Sequence, residues 1–264
     1  MISAPRPARP LPTTLPTLPA VAARIVALFA SPEFEIAEVV RTLEHDPPVS
    51  ARVLRLANSA YYGFPGRVDR LDRAVVLLGA ATVQALALAT AVMDLWKDAP
   101  PASVRALWVH SYLAAEGCRF LGRRHPVAGF EPDALFVAGL VHDLGKFWFL
   151  SEAAEDYASE LAERSGPELR AAEEDRFGED HACAGRTLLE EWNFPAGIAA
   201  LAGFHHGPAL RAELRPAQSV VAAANRAAGG SPEPSDLPPA LEEDLSRHLD
   251  ARRGAAEAFV EALV

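Results

Sequence analysis

Gly139-Leu140-Val141-His142-Asp143-Leu144-Gly145-Lys146 sets an imidazole, a carboxylate and an ammonium inside an otherwise apolar stretch. The surrounding pattern predicts one helix from about Pro132 to Lys146, buried for most of its length. Burying those polar groups without partners would cost about 1–3 kcal/mol each, so something must satisfy them. On a helix His142 and Asp143 would point about 100° apart, close enough to share a cation. Lys146, four residues after His142, would overlook the same spot. Together they form a plausible kit for a metal, its bound water and a phosphate oxygen.

Taken alone, the pair is better read as a buried histidine bonded to backbone and an aspartate paired with Lys146 or capping a neighbouring helix. The rest of the chain shifts that balance. His110 lies within the apolar run Leu107-Trp108-Val109-His110, and His205-His206 forms a second adjacent pair. With His181, five of the eight histidines stand in contexts that could assemble around Asp143. His45, His125 and His248 fall at helix ends or on charged faces and need no special role.

Outward from this centre every segment reads as helix, and no alternating strand pattern competes. Residues 1–16 form a proline-rich tail that cannot hold helix hydrogen bonds. Short amphipathic helices follow, broken at Ser31-Pro32, His45-Asp46-Pro47-Pro48 and Gly79. Ala99-Pro100-Pro101 separates a first helical subdomain, residues 17–98, from a second, residues 102–228. The second begins with a long helix from about Ser103 to Arg123 and includes others at about Ala153–Arg164, Pro167–Phe177 and Ala182–Trp192. Gly229-Gly230-Ser231-Pro232 opens a loop, and residues 229–264 end in a charged helix or helix pair of the kind that serves docking or dimerisation or, more commonly, folds back on its own domain.

Leu56-Ala57-Asn58-Ser59-Ala60-Tyr61-Tyr62-Gly63, Ala74-Val75-Val76-Leu77-Leu78-Gly79 and the His-Asp stretch, in that order and spacing, resemble the HDOD family over roughly residues 17–228. The resemblance implies an all-α, HD-like fold related to the HD and HD-GYP metal-dependent phosphohydrolases. Such a domain usually serves as an output or scaffolding module of bacterial signal transduction, often without a full set of catalytic ligands. It matches His110 to the first histidine of the HD superfamily, His142 and Asp143 to the doublet, and Lys146 to the lysine that follows it in HD-GYP enzymes. His181, His205 and His206 match later HD-GYP ligands. Asn225 stands nearest to where a last aspartate ligand is expected, and Ala106 where HD-GYP enzymes carry a glutamate. A Gly-Tyr-Pro signature is absent after the second histidine pair, which argues against cyclic di-GMP hydrolysis.

Composition narrows the class further. The 264 residues are 50% hydrophobic, enough for a sizeable core, and carry a formal net charge of −10. That charge disfavours non-specific nucleic-acid binding. The lead segment has no continuous apolar region of a signal peptide, no uncharged run approaches bilayer length, and the expected address is the cytoplasm. Cys118 and Cys183 are read as small buried hydrophobes rather than a disulfide or thiolate site. Arg186 and Arg226 are candidates for lining the same pocket as Lys146, and Asp180 reads as a helix N-cap.

Three readings follow. In the first, the chain is a regulatory module acting through a signalling protein partner. In the second, it is a phosphohydrolase acting on a nucleotide or cyclic dinucleotide, with Asp143 and Lys146 catalytic. In the third, the metal site is intact but serves as a sensor or structural staple. With a single carboxylate beside its imidazoles, the site would suit Fe, Mn, Zn or Ni better than Mg or Ca. The missing carboxylates favour sensing over rapid turnover.

Overall fold

The computed structural model describes residues 15–30, 35–58, 68–207, 210–230 and 237–263. The tyrosine pair at 61–62 and Gly63 lie outside them. The described residues are helical throughout, with no strand beyond an isolated bridge between Val127 and Phe130.

The first set comprises α1 (Ala20–Ala30), α2 (Ile36–Glu44), α3 (Pro47–Ala57), α4 (Leu71–Leu78) and α5 (Ala80–Met93). Breaks fall where local chemistry demands them. Asp46 accepts from the Val49 amide at 3.1 Å while two prolines fill the first turn of α3, where no amide partner is needed. Asn58 closes α3 from the other end. Its Nδ2 donates to the Leu54 and Val68 carbonyls at 2.9 and 2.6 Å, and its Oδ1 accepts from the Val68 amide at 3.0 Å. The other helices of this set pack around α5, whose residues from Thr82 to Val92 are all buried.

The second set starts at α6 (Pro101–Arg124) and continues through α7 (Pro132–Val141), α8 (Leu144–Glu163), α9 (Gly166–Phe177), α10 (His181–Glu191), α11 (Ala196–Gly203) and α12 (Arg215–Ala227). The long α6 is its axis, packing on α7, α8 and α12. Close approach is enforced by glycine. A Cβ on Gly139 would come within 2.8 Å of the Ala115 Cα, and one on Gly145 within 2.0 Å of the His181 carbonyl oxygen. These two contacts lock α7 to α6 and α8 to α10. Buried residues of both sets form one continuous cluster from Val21 to Val260. Arg119 of α6 bridges the sets, donating to Thr82 of α5 at 3.0 Å and pairing with Asp133 of α7 at the same distance.

The terminal pair, α13 (Pro239–Asp250) and α14 (Arg253–Leu263), folds back on the domain as expected, with α13 on α6 and α12 and α14 on α6 and α3. The stretch Pro132–Glu163 is long and apolar enough to reach across a bilayer, but its most apolar window is almost wholly buried, as core helices are.

Three expectations need correction. The helix expected through the His-Asp doublet ends at Val141. His142 and Asp143 form a turn, with Asp143 at φ −103° and ψ 17° as the residue before α8. The helix expected from Ala153 is instead the continuation of α8 beyond a kink at Ala154, where φ is 28°. Cys183 is exposed in the first turn of α10, while Cys118 is fully buried.

Candidate metal centre

The turn between α7 and α8 puts Asp143 at the meeting point of five histidines. Its Oδ2 lies 3.4 Å from the Nε2 atoms of His110 on α6 and His142, and 2.7 Å from Lys146 Nζ on α8. Its Oδ1 lies 3.4 Å from His181 Nε2 at the start of α10 and 3.5 Å from His205 Nε2 just past α11. His206 completes this second side, its Nε2 3.1 Å from that of His181. Asp143, His142, His181 and His205 are buried, and His110 and His206 partly so. Donor atoms thus gather in two groups sharing one carboxylate, His110–His142–Asp143 and Asp143–His181–His205–His206, each within 4.8 Å. The break that the doublet makes between α7 and α8 is what aims Asp143 into both.

Backbone and side-chain acceptors fix the ring tautomers. His142 Nδ1 donates to the Gly139 carbonyl at 2.7 Å and His205 Nδ1 to that of Ala202 at 2.5 Å. His181 Nδ1 donates to Glu173 Oε2 at 2.6 Å. Each Nε2 is then left with a lone pair facing inward. Burial pushes the His142 imidazole well below its ordinary pKa, and that of His205 lower too, against the pull of Asp143. His206 is shifted the same way by burial and by His205 and His181. Burial also opposes the charge on Asp143, but His142 and Lys146 outweigh it and hold the carboxyl well below the usual range.

The two groups differ in how well they are satisfied. On the Oδ2 side Lys146 supplies a positive charge, and His110 Nε2 can donate to His142 Nε2 across 3.3 Å. On the Oδ1 side a neutral His205 Nε2 and a carboxylate oxygen face each other, both acceptors, both buried and both without a hydrogen-bond partner. Three imidazole nitrogens and one carboxylate oxygen fit a divalent transition metal, and a cation between them would satisfy both orphaned atoms.

Glu173 escaped the sequence reading. Fully buried in α9, it accepts from both the Nδ1 and the backbone amide of His181, the latter at 2.9 Å, and from the Tyr157 hydroxyl. Burial opposes its charge, yet His181 and these hydrogen bonds outweigh burial and lower its pKa. Its sequence signal was a charge standing on the apolar stripe Leu169, Glu173, Phe177, four residues apart. Asp180 caps α10 as expected, accepting from the Cys183 amide at 2.9 Å.

Asn225 is buried on α12 with its Oδ1 unpartnered and packed close to Gly230. Arg186 and Arg226 do not line the pocket. Arg186 pairs with Glu190 at 2.7 Å, and Arg226 pairs with Glu242. A cavity of about 740 Å3 opens instead above His110, Lys146, His181 and His206, with Arg105, Arg164 and Arg253 among its lining.

The HDOD domain family matches residues 15–208. The chain is similar to an HDOD domain protein of unknown function from Geobacter sulfurreducens, at 24% identity and a TM-score of 0.76, covering 95% of this chain and 94% of that one. A phosphohydrolase candidate from Shewanella amazonensis SB2B shows 24% identity and a TM-score of 0.74, with 95% of each chain covered. A signal-transduction candidate from Marinobacter aquaeolei VT8 shows 21% identity and a TM-score of 0.80, over 94% of this chain and 60% of that one. At such identities these likenesses establish the fold. An uncharacterized protein of Treponema pallidum is 25% identical over 215 residues, which are 80% of this chain but 41% of the relative.

Proposed function

The chain belongs to the HDOD family, and on that premise we propose that it is a signal-transduction module that binds a partner protein and holds a divalent transition metal at its histidine–aspartate centre. The observation that carries the metal is the pair His205 Nε2 and Asp143 Oδ1, buried 3.5 Å apart and each without a hydrogen-bond partner. Asp143, His181, His205 and His206 would hold the ion, and one carboxylate among three imidazoles favours Fe, Mn, Zn or Ni over Mg or Ca. Such an ion supplies a Lewis-acid centre and acidifies bound water. His110 and His142 would hold a second ion only by displacing Lys146 from Asp143.

The helices of residues 17–98 are the proposed partner-binding unit and those of residues 102–228 the metal-holding one. Two free cysteines suit a reducing cytoplasm, and the net charge of −10 disfavours nucleic acid as the partner.

A second reading, metal-dependent phosphohydrolase, is favoured by one observation: the cavity leads from the surface directly to the centre, so a small phosphorylated ligand has a path to Lys146. In that reading Asp143 and the imidazoles fix the ion, and Lys146 steadies negative charge on a phosphate oxygen.

Metal content of protein purified without an affinity tag, measured by inductively coupled plasma mass spectrometry, tests the proposal. One transition ion per chain is expected, lost in both Asp143→Ala and His205→Ala. Folded, metal-free wild-type protein would overturn the metal and leave partner binding alone.

A further inference from the structure

The cavity above the centre has a chemical character that the histidines do not explain. One face of α6 lines it at four-residue steps with Ala102, Ala106 and His110, so two exposed methyl groups lead to an imidazole at the centre. Ala158, Leu161 and Ala162 of α8 and Leu169 of α9 supply a second aliphatic part of the lining. Both groups of small and aliphatic side chains line the same cavity.

Lys146, His110, His181 and His206 belong to the centre, and elsewhere in the lining Arg105, Arg164 and Arg253 supply three positive charges against the single carboxylate of Glu257. Arg105 leans on Glu261 at 3.8 Å and Arg164 on Glu160 at 3.2 Å, while Arg253 comes from α14, beyond the residues that match the family. Above the histidines the described lining contains no Phe, Tyr or Trp ring. Its only uncharged polar side chains are those of Ser103 and Ser165. A nucleobase is ordinarily held by stacking and by donors and acceptors that read its edge. This lining offers little of either.

We propose that the cavity takes an aliphatic chain ending in an oxyanion, phosphate or carboxylate, with its head at Lys146 and the histidine centre and its chain between the aliphatic walls of α6 and α8. The head group's placement rests on the metal reading above, whereas the chain's rests on the two walls alone. At about 740 Å3 the cavity lies within the range of about 300–1,000 Å3 typical of small-molecule sites.

Calorimetric titration of the full chain with octyl phosphate, octanoate, GMP and inorganic phosphate tests this, with metal content measured on the same sample. At least one octyl anion should bind about tenfold or more tightly than GMP and inorganic phosphate, because burying several methylenes is worth at least that much. Which octyl anion binds identifies the head. Ala106→Trp and Ala162→Trp each place a ring at an exposed position in the slot, so the fold should persist in both. Each should weaken octyl binding about tenfold with metal content unchanged. GMP binding as tight as either octyl anion, no octyl binding, or octyl binding indifferent to both tryptophans would overturn the proposal. Octyl binding to metal-free protein would uphold the slot and sink the metal. Metal-replete protein that binds no octyl anion would do the reverse.

Discussion

Helix α5 and the junction around Asp143 are both buried, yet they are built on opposite principles. Along α5, Val83, Ala85, Leu86, Ala87, Leu88 and Ala89 are nearly sealed from solvent and offer only volume and apolar area. Thr90 returns its hydroxyl to the Leu86 carbonyl at 2.7 Å. Gln84 has no partner for either amide atom, and nothing in the structure accounts for it. Around Asp143 the carboxylate and the His142, His181 and His205 rings occupy a comparable depth, with Lys146, His110 and His206 nearer the surface, and those three buried rings are oriented by acceptors around them. An apolar filling of the same space would stabilise the fold as well or better. The difference separates burial that holds the protein together from burial retained for binding.

Removing the shared carboxylate should break the comparison most severely. Asp143→Ala strands Lys146 and the imidazoles without their counter-charge and should lower unfolding free energy in urea by about 3–5 kcal/mol, with metal lost. Leu86→Ala should cost about 2–5 kcal/mol through its cavity but leave metal content at the wild-type level. Stability loss accompanied by metal loss in that variant would mean that the two regions are not separable.

Acid should distinguish the regions next. His142, His205 and His206 have folded pKa values pushed down by burial, so below the unfolded value of about 6.5 the unfolded chain binds more protons than the folded one. Stability is therefore complete above about pH 6.5 and falls as pH drops below it, by up to about 1.4 kcal/mol per pH unit for each histidine. Asp143 and Glu173, whose carboxyls are lowered, add a further loss only as pH falls below the ordinary carboxylate range. Urea midpoints between pH 8 and pH 5 read this directly, and a flat profile would contradict neutral buried rings.

A finer probe is Glu173→Gln, which keeps the shape but loses the charge behind His181. Metal affinity measured by competition with a chelator should fall about 10–100-fold with little change in fold. The smallest effect belongs to the surface. Val76→Asp, at a position 76% exposed, should move stability by no more than about 0.5 kcal/mol and leave the centre untouched.

Much of this contrast was legible in the sequence. The helical period, the breaks at Asp46-Pro47-Pro48 and Gly79, and the convergence of His110, His142 and His205-His206 on one aspartate were all readable from residue types and spacing. The turn at His142-Asp143 was not, because apolar residues continue unbroken on both sides and periodicity carries no mark where two buried helices meet end to end. Gly145 gave the only hint, and its reason, contact with the His181 carbonyl, lies 36 positions along the chain. Glu173 stayed hidden among Glu168, Glu174 and Asp175, since one buried charge in an acidic helix looks like its solvated neighbours. The same blindness put Cys183 inside, when it sits on the outer face of α10.

The central claim is that a cation belongs between His205 and Asp143, and the melting temperature of the full chain before chelation, after it and after adding back single ions tests that most directly. Stripped protein should melt about 5 °C or more below the original, with recovery on adding one equivalent of Zn, Mn, Fe or Ni and none on adding Mg. An unchanged melting temperature with no ion taken up would contradict the account and leave the two facing acceptors unexplained.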